Sequence, residues 1–202
     1  PAWRRRRVGT TLLGFAMDRI HELATGHDVD LPRVAGAWVA DTDTGAQVLL
    51  KAHGYEPARW FFHMKRDLSL PIEVPPMPEG IEVRPVTRDD ARKLFVADNE
   101  AFLDHWGGID ASDSAFQKWI DDPDFNPSLH VVAFDGDEIA GASINAIYPE
   151  ANEKQGVLHG WLDSVFTRRP WRGRGLARAL VARSLVVLRD RGMTEGILGV
   201  DA

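Results

Sequence analysis

Residues Trp171-Arg172-Gly173-Arg174-Gly175-Leu176-Ala177 set two arginines among two glycines, a composition suited to holding an anion. A strand-like run, 157–167, precedes this stretch, and a helix-like run, 176–191, follows it. The first N–H groups of a helix have no partner inside it, and the helix dipole adds positive charge there. Such a terminus binds phosphate. Gly173 and Gly175 let the backbone take positive φ and approach a bulky anion, and Arg172 and Arg174 add charge. The bland alternative is a basic helix start behind a turn at Pro170.

The order Arg-x-x-Gly-x-Ala, at Arg172, Gly175 and Ala177, resembles the acyl-CoA pyrophosphate loop of the GNAT superfamily of N-acetyltransferases, Gln/Arg-x-x-Gly-x-Gly/Ala. A degraded copy opens the chain. Trp3 aligns with Trp171, Arg4 with Arg172, Val8 with Leu176 and Gly9 with Ala177. The copies lie about one domain length apart. Each leads into a helix and then a short strand ending in aspartate, 37–41 and 198–201. Arg7 stands where the second copy has Gly175, so the first loop is expected to bind cofactor poorly or not at all. The run 46–55 resembles a late GNAT segment, Ala-x-x-Leu-Tyr-x-x-x-Gly-Phe, whose Tyr protonates the leaving thiolate in many members. Leu50 takes that place here and cannot donate a proton. The opening Val83-Arg84-Pro85-Val86-Thr87-Arg88-Asp89-Asp90-Ala91 is similar to the first strand and helix of a GNAT domain.

The resemblance implies an α+β fold in an α/β/α arrangement: a mixed, mostly antiparallel sheet flanked by helices, in two incomplete repeats. Residues 1–69 would be the C-terminal half of a first repeat. Residues 70–80, with Pro71, Pro75, Pro76 and Pro78, would be an extended linker, and 81–202 the N-terminal and central part of a second repeat. The chain reads as a fragment of a tandem protein, similar in architecture to the mycothiol synthase type. Two arrangements stay open. The halves form one composite domain, like a circular permutant, or they sit as in a tandem parent, where incomplete sheet edges would favour a homodimer.

The same resemblance implies acetyl-CoA as cosubstrate, bound by Arg172, Gly173, Arg174, Gly175, Leu176, Ala177 and Arg178. Val165, Phe166 and Thr167 would line the preceding strand and offer backbone N–H groups to the thioester carbonyl. Asp163, on that strand, is the best placed base for deprotonating a primary amine of a small molecule; Glu138 and His159 are weaker candidates. Tyr55 and Tyr148 do not match the family's tyrosine position, so the proton donor is missing. The implied activity is N-acetyl transfer by direct attack of the amine. The alternative is a non-catalytic acyl-CoA-binding or regulatory module.

Composition limits the partners. A net charge of −6 argues against general nucleic-acid binding, while local arginine clusters suit a small polyanion. The chain has no cysteine, which excludes disulfides, thiolate nucleophiles and Cys-ligated metals and fits a cytoplasmic setting; no metal is expected. No run approaches the ~20 apolar residues of a membrane helix, so no membrane partner is expected. Val8, Leu12, Leu13, Ala16, Ile20 and Leu23 recur at helical spacing and predict a helix over 8–25. Strands are expected at 34–40, 59–68 and 80–86, and a second helix at 44–53. Thr87 is a good N-cap for the helix carrying Ala91, Leu94 and Phe95, and a polar helix follows at 113–120. Trp106 and Trp119 pack or line an acceptor pocket, and His63 reads as a strand surface residue. The runs 129–134 and 139–147 form a hairpin about Asp135-Gly136, and 149–155 reads as a polar loop. Leu176, Leu180 and Val187 mark the buried stripe of the last helix.

Overall fold

A computed structural model describes residues 5–26, 33–105 and 109–201. Trp3, Arg4, the polar run 27–32 and Trp106 lie outside the described residues. The chain divides into two compact units, Pro1–Arg59 and Trp60–Ala202.

The first unit carries two helices, α1 (Val8–Ala24) and α2 (Thr44–Ala52). The Asp43 carboxylate accepts from the Ala46 N–H at 3.0 Å and caps α2. Tyr55 Oη donates to Met17 Sδ at 2.8 Å. Neither helix has a fully buried residue; Phe15 and Val48 leave 74% and 70% of their surface in water. The strand expected at 34–40 is absent, and 33–40 runs without ladder pairing. A strand exists through its ladder, and no other strand lies among the described residues of this unit. Arg5 and Arg7 both adopt φ 61°, and they are the non-glycine residues with positive φ among the described residues. In the alignment of the two loops they stand opposite Gly173 and Gly175, which have φ 75° and 83°. The first loop therefore keeps the turn of the second, with arginine where glycine would be unstrained.

The second unit is built on a six-stranded sheet of order β1-β6-β5-β4-β3-β2. The strands are β1 (Phe61–Asp67), β2 (Ile81–Arg84), β3 (Val131–Asp135), β4 (Glu138–Ile147), β5 (His159–Thr167) and β6 (Glu195–Asp201). All neighbours are antiparallel except β5 and β6. That parallel pair needs a crossover, which helix α6 (Leu176–Asp190) supplies. Helices α3 (Ala91–Ala101) and α4 (Asp113–Ile120) complete the other layer. The expected mixed, mostly antiparallel sheet flanked by helices is thus observed. Leu94 and Ala97 of α3 pack with Val132, Ile144 and Phe166 on one face. Leu176 and Leu180 of α6 pack with Val131, Ala133 and Ala140 on the other.

Three elements differ from expectation. First, the strand placed in the first repeat, β1, pairs along its whole length with β6, from Phe61↔Asp201 to Asp67↔Glu195. The division between compact units falls at Arg59, so β1 belongs with the sheet of the second unit. Second, that stretch is a strap. Prolines cannot donate to a ladder, and arginines hold its carbonyls instead: Arg66 on Pro71, Arg183 on Pro75 and Arg174 on Glu79, at 2.7–2.8 Å. Third, the polar run 149–155 is helix α5 (Pro149–Gln155), with proline in its first turn and Gly156 in the left-handed C-cap conformation.

A polar cluster lies in the core. Asn145 Nδ2 donates to the Leu129 carbonyl at 2.7 Å and to Ser184 Oγ at 3.0 Å, and its Oδ1 accepts from Ser143 at 2.8 Å. The Asn145 backbone N–H reaches His130 Nδ1 at 3.3 Å, and the His130 ring stacks on Trp119. Burial lowers the His130 pKa to about 4, with the Asn145 contact opposing.

Two stability measurements follow from this packing. A Cβ at Gly141 would lie 2.6 Å from the Phe166 carbonyl oxygen, which is backbone and cannot swing aside, whereas one at Gly199 meets nothing. Gly141→Ala is expected to lower stability by about 1–3 kcal/mol in urea titration, and Gly199→Ala by no more than about 0.5 kcal/mol. The depressed His130 pKa makes the unfolded chain bind the extra proton first. Its contribution is complete above pH 6.5 and is lost as pH falls toward 4, about 2 kcal/mol by pH 5. The raised carboxyls Asp98 and Asp163 act in the opposite sense. The urea midpoint of the wild-type chain should therefore fall further between pH 7 and 5 than that of His130→Gln. Equal falls would remove His130 as the source.

Candidate active site

Strand β5 pairs with β6 only from His159↔Glu195 to Leu162↔Leu198. Beyond that point β6 continues with β1 alone, and the two parallel strands part. The parting coincides with a β-bulge. On the β4 side Ile144 faces Ser164 and Asn145 faces Leu162, so Asp163 is the extra residue. The bulge reverses the facing of the strand. Leu162 packs with Leu188 of α6, whereas Phe166 joins the α3 cluster and Ser164 Oγ donates to Asp98 of α3 at 2.5 Å. The edge of 164–167 that would have paired with β6 is left for another partner.

That edge forms one wall of a cleft of about 380 Å³. Val165, Phe166 and Thr167 line it with Trp171, Arg172, Gly173, Gly175, Leu176, Ala177 and Arg178, together with Ala101 and Phe102. Gly175 is the N-cap of α6 in the left-handed conformation, and no side chain caps the helix. The first N–H groups of α6 thus face the cleft without an internal acceptor. The hydroxyl of Thr167 is buried there with no hydrogen-bond partner. An anion with several oxygens fits these donors.

The arginines of the loop also make contacts within the protein. Arg172 Nε donates to the Thr167 carbonyl and Nη2 to the Ala101 carbonyl, both at 3.0 Å, so it ties the loop to β5 and to the end of α3. Arg174 does not line the cleft and binds the strap at Glu79. Arg169 grips Asp104 with two contacts at 2.7 and 2.8 Å. Arg178 lies 3.6 Å from Glu73 on the surface. Trp171 Nε1 donates to Asp135 Oδ2 at 2.8 Å and pins the loop to the hairpin turn. The sequence showed the charges of these arginines; their use as struts depends on carbonyls 5 to 95 residues away.

Asp163 lies in the bulge and accepts a hydrogen bond from Tyr148 Oη at 2.6 Å. Its residue is exposed, yet crowding by protein around the carboxyl raises its pKa; the Tyr148 bond opposes this, and Asp122 adds to it. Asp98 is raised by burial against the Ser164 bond. The weaker base candidates are engaged elsewhere. Glu138 pairs with Arg168 at 3.0 Å, which also holds Glu100. His159 Nε2 lies 2.6 Å from Glu195 in poor hydrogen-bond alignment. The edge of His63 meets Trp161, with ring centroids 5.3 Å apart. Trp119 packs among Phe95, Phe125 and His130 rather than at the cleft. Among the described residues, no group of three His, Asp or Glu side chains could hold a metal ion, and no helix is long and apolar enough to cross a membrane.

A family model described as Acetyltransferase (GNAT) family matches residues 89–202. A protein named Mycothiol acetyltransferase from Geodermatophilus obscurus is 30% identical over 207 residues, which cover 100% of this chain and 63% of that protein. The crystal structure of a GCN5-related N-acetyltransferase from Sphaerobacter thermophilus aligns with a TM-score of 0.76 at 30% identity, over 100% of this chain and 61% of its own. A tandem GNAT protein from the clavulanic acid biosynthesis pathway shares the fold, with a TM-score of 0.62 at 19% identity over 99% of this chain and 63% of its own. The chain therefore spans about three-fifths of the length of these relatives.

The strut role of Arg172 is open to measurement. Arg172→Ala should speed amide hydrogen exchange at 173–177 roughly fivefold to tenfold, the effect of losing about 1 kcal/mol of local hydrogen bonding. Exchange in β3 and β4 should stay unchanged. Unaltered exchange in the loop would show that Arg172 holds nothing there.

Proposed function

The chain belongs to the acetyltransferase (GNAT) family, and we propose that it transfers an acetyl group from acetyl-CoA to a primary amine of a small molecule by direct attack. The observation that carries this reading is the meeting, in one cleft, of an uncapped helix start and an unpaired strand edge. The N–H groups of 175–177 would hold the pyrophosphate, with Gly175 giving the backbone its positive φ. The cosubstrate brings the acetyl group as a thioester. The open edge of β5 at 165–167 would donate to the thioester carbonyl as charge develops on its oxygen. Asp163 would take the proton from the ammonium, so that the neutral amine forms the C–N bond while the C–S bond breaks; CoA leaves as its thiolate, and the second proton shed by the nitrogen passes to solvent. Arg172, Arg174 and Trp171 would act by fixing the loop.

We further propose that 1–69 and 81–202 are parts of two repeats of this family, joined by the strap at 70–80, with only the second loop binding cofactor. The shared left-handed positions at Arg5, Arg7, Gly173 and Gly175 support the repeat. A chain without cysteine suits a reducing compartment, and we place the reaction in the cytoplasm.

Calorimetric titration with acetyl-CoA tests the binding half of this proposal. One site is expected, lost in Gly175→Arg, whose side chain would stand in the cleft on a backbone that favours glycine. Turnover with a panel of primary amines tests the rest. Asp163→Asn should lower kcat/KM by about 10²–10³-fold with binding of acetyl-CoA retained. Binding by the wild-type chain without turnover on any amine would favour a non-catalytic acyl-CoA-binding module. No binding at all would refute the cofactor site.

A further inference from the structure

Tyr148 follows β4, and its ring contacts lead back across the sheet. Its ring meets that of Trp161 at 6.5 Å and 66°, and Trp161 meets His63 of β1 at 5.3 Å and 88°. The phenol Oη is left to point at Asp163 Oδ2, 2.6 Å away. That length is typical of a hydroxyl donating to an ionised carboxylate. Asp163 itself stands in a bulge, where the ladder that would fix its direction is interrupted. We infer that Tyr148 is a positioning residue for Asp163: it aims the carboxylate, occupies Oδ2 and leaves Oδ1 to receive the proton of the amine. The inference rests on the reading of Asp163 as the base.

The surrounding charges favour this division of labour. Burial, the Asp163 carboxylate, Asp122 and Asp124 all hold the Tyr148 phenol far above its ordinary pKa. A phenol so reluctant to ionise serves as a fixed donor and not as a proton relay. The groups facing the pair are Asp122 and Asp124 from the turn after α4, Asp98 of α3 through the adjacent Ser164, and His63 of β1 through Trp161. Against the upward push of burial and Asp122 on Asp163, the Tyr148 hydrogen bond is the influence that favours the carboxylate. Removing it must make Asp163 harder to ionise.

The test is a pH titration of Tyr148→Phe, which keeps the ring and loses the hydroxyl. Carbon-13 resonances of labelled aspartate carboxyls report Asp163 directly, with Asp163→Asn identifying its signal. The Asp163 pKa should rise by about half to one pH unit in Tyr148→Phe. The acidic limb of kcat/KM for acetyl transfer should move up by the same interval, with the affinity for acetyl-CoA unchanged. An unmoved Asp163 titration would overturn the inference. A moved titration with an unmoved limb would overturn it too, because Asp163 would then not be the base. Absence of turnover in the wild-type chain would instead defeat the proposed function, and the titration alone would still uphold or reject Tyr148 as the residue that sets the ionisation of Asp163.

Discussion

The parting of β5 from β6 is the constraint on which the site depends. Two parallel strands that paired to their ends would consume their backbone donors in each other, and no cleft could open between them. Here the extra residue at Asp163 shifts the register against β4, and pairing with β6 stops one residue earlier, at Leu162. The same bulge turns Phe166 toward α3 while Leu162 stays against α6. One local irregularity thus exposes a strand edge, reverses the facing of the strand and leaves Asp163 as the unpaired residue of the bulge. Gly141 is part of the cause. Only a residue without Cβ lets β4 approach the Phe166 carbonyl so closely, which fixes the position of the strand that forms the cleft wall.

The two loops separate backbone geometry from side-chain chemistry. Arg5 and Arg7 hold the left-handed conformation that Gly173 and Gly175 hold in the second loop. A non-glycine residue there costs on the order of 1 kcal/mol, so the first loop keeps a shape that its own residues disfavour. In the second loop the glycines make that shape easy, and the arginines beside them bind carbonyls of β5, α3 and the strap. The donors offered to an anion are then backbone N–H groups, fixed in place before any ligand arrives. Such groups need no rearrangement on binding.

What could be read in the sequence was local. The helical spacing of Leu176 and Leu180, the Thr87 cap and the Asp135-Gly136 turn each depend on residues within a few positions; each appears in the structure, with Thr87 capping the 3-10 turn at 88–90 that leads into α3. The loop itself was legible for the same reason. The partner of β1 was not, because 61–67 and 195–201 are joined by register and not by pattern. The run 33–40, which joins no β-ladder among the described residues, shows the converse: strand-forming residues make no strand without a neighbouring strand. Helix α5 hid behind a polar composition, although Pro149 at its start and Gly156 at its end were both visible signals. Asp163 was legible as a carboxylate on the strand before the glycine loop, but its bulge and its bond to Tyr148 follow from pairing across β4 and β5.

The strap links these pieces into one mechanical unit. An extended proline-rich segment has little ladder bonding of its own, so it keeps its place through partners. Ile72 and Met77 pack at the edge of the α6 side of the core, and three arginines take up its carbonyls. One of these, Arg174, belongs to the glycine loop, and another, Arg183, lies on α6. The loop is therefore braced from both sides, by Arg172 toward α3 and β5 and by Arg174 toward the strap. A strap shifted by even one residue would withdraw the Glu79 carbonyl from Arg174 and loosen the loop at Gly173 and Gly175, where the backbone is least self-supporting. The prolines limit such sliding, since each restricts both its own φ and the residue before it. In this fold the stiffness of 70–80 is thus part of what shapes the cleft.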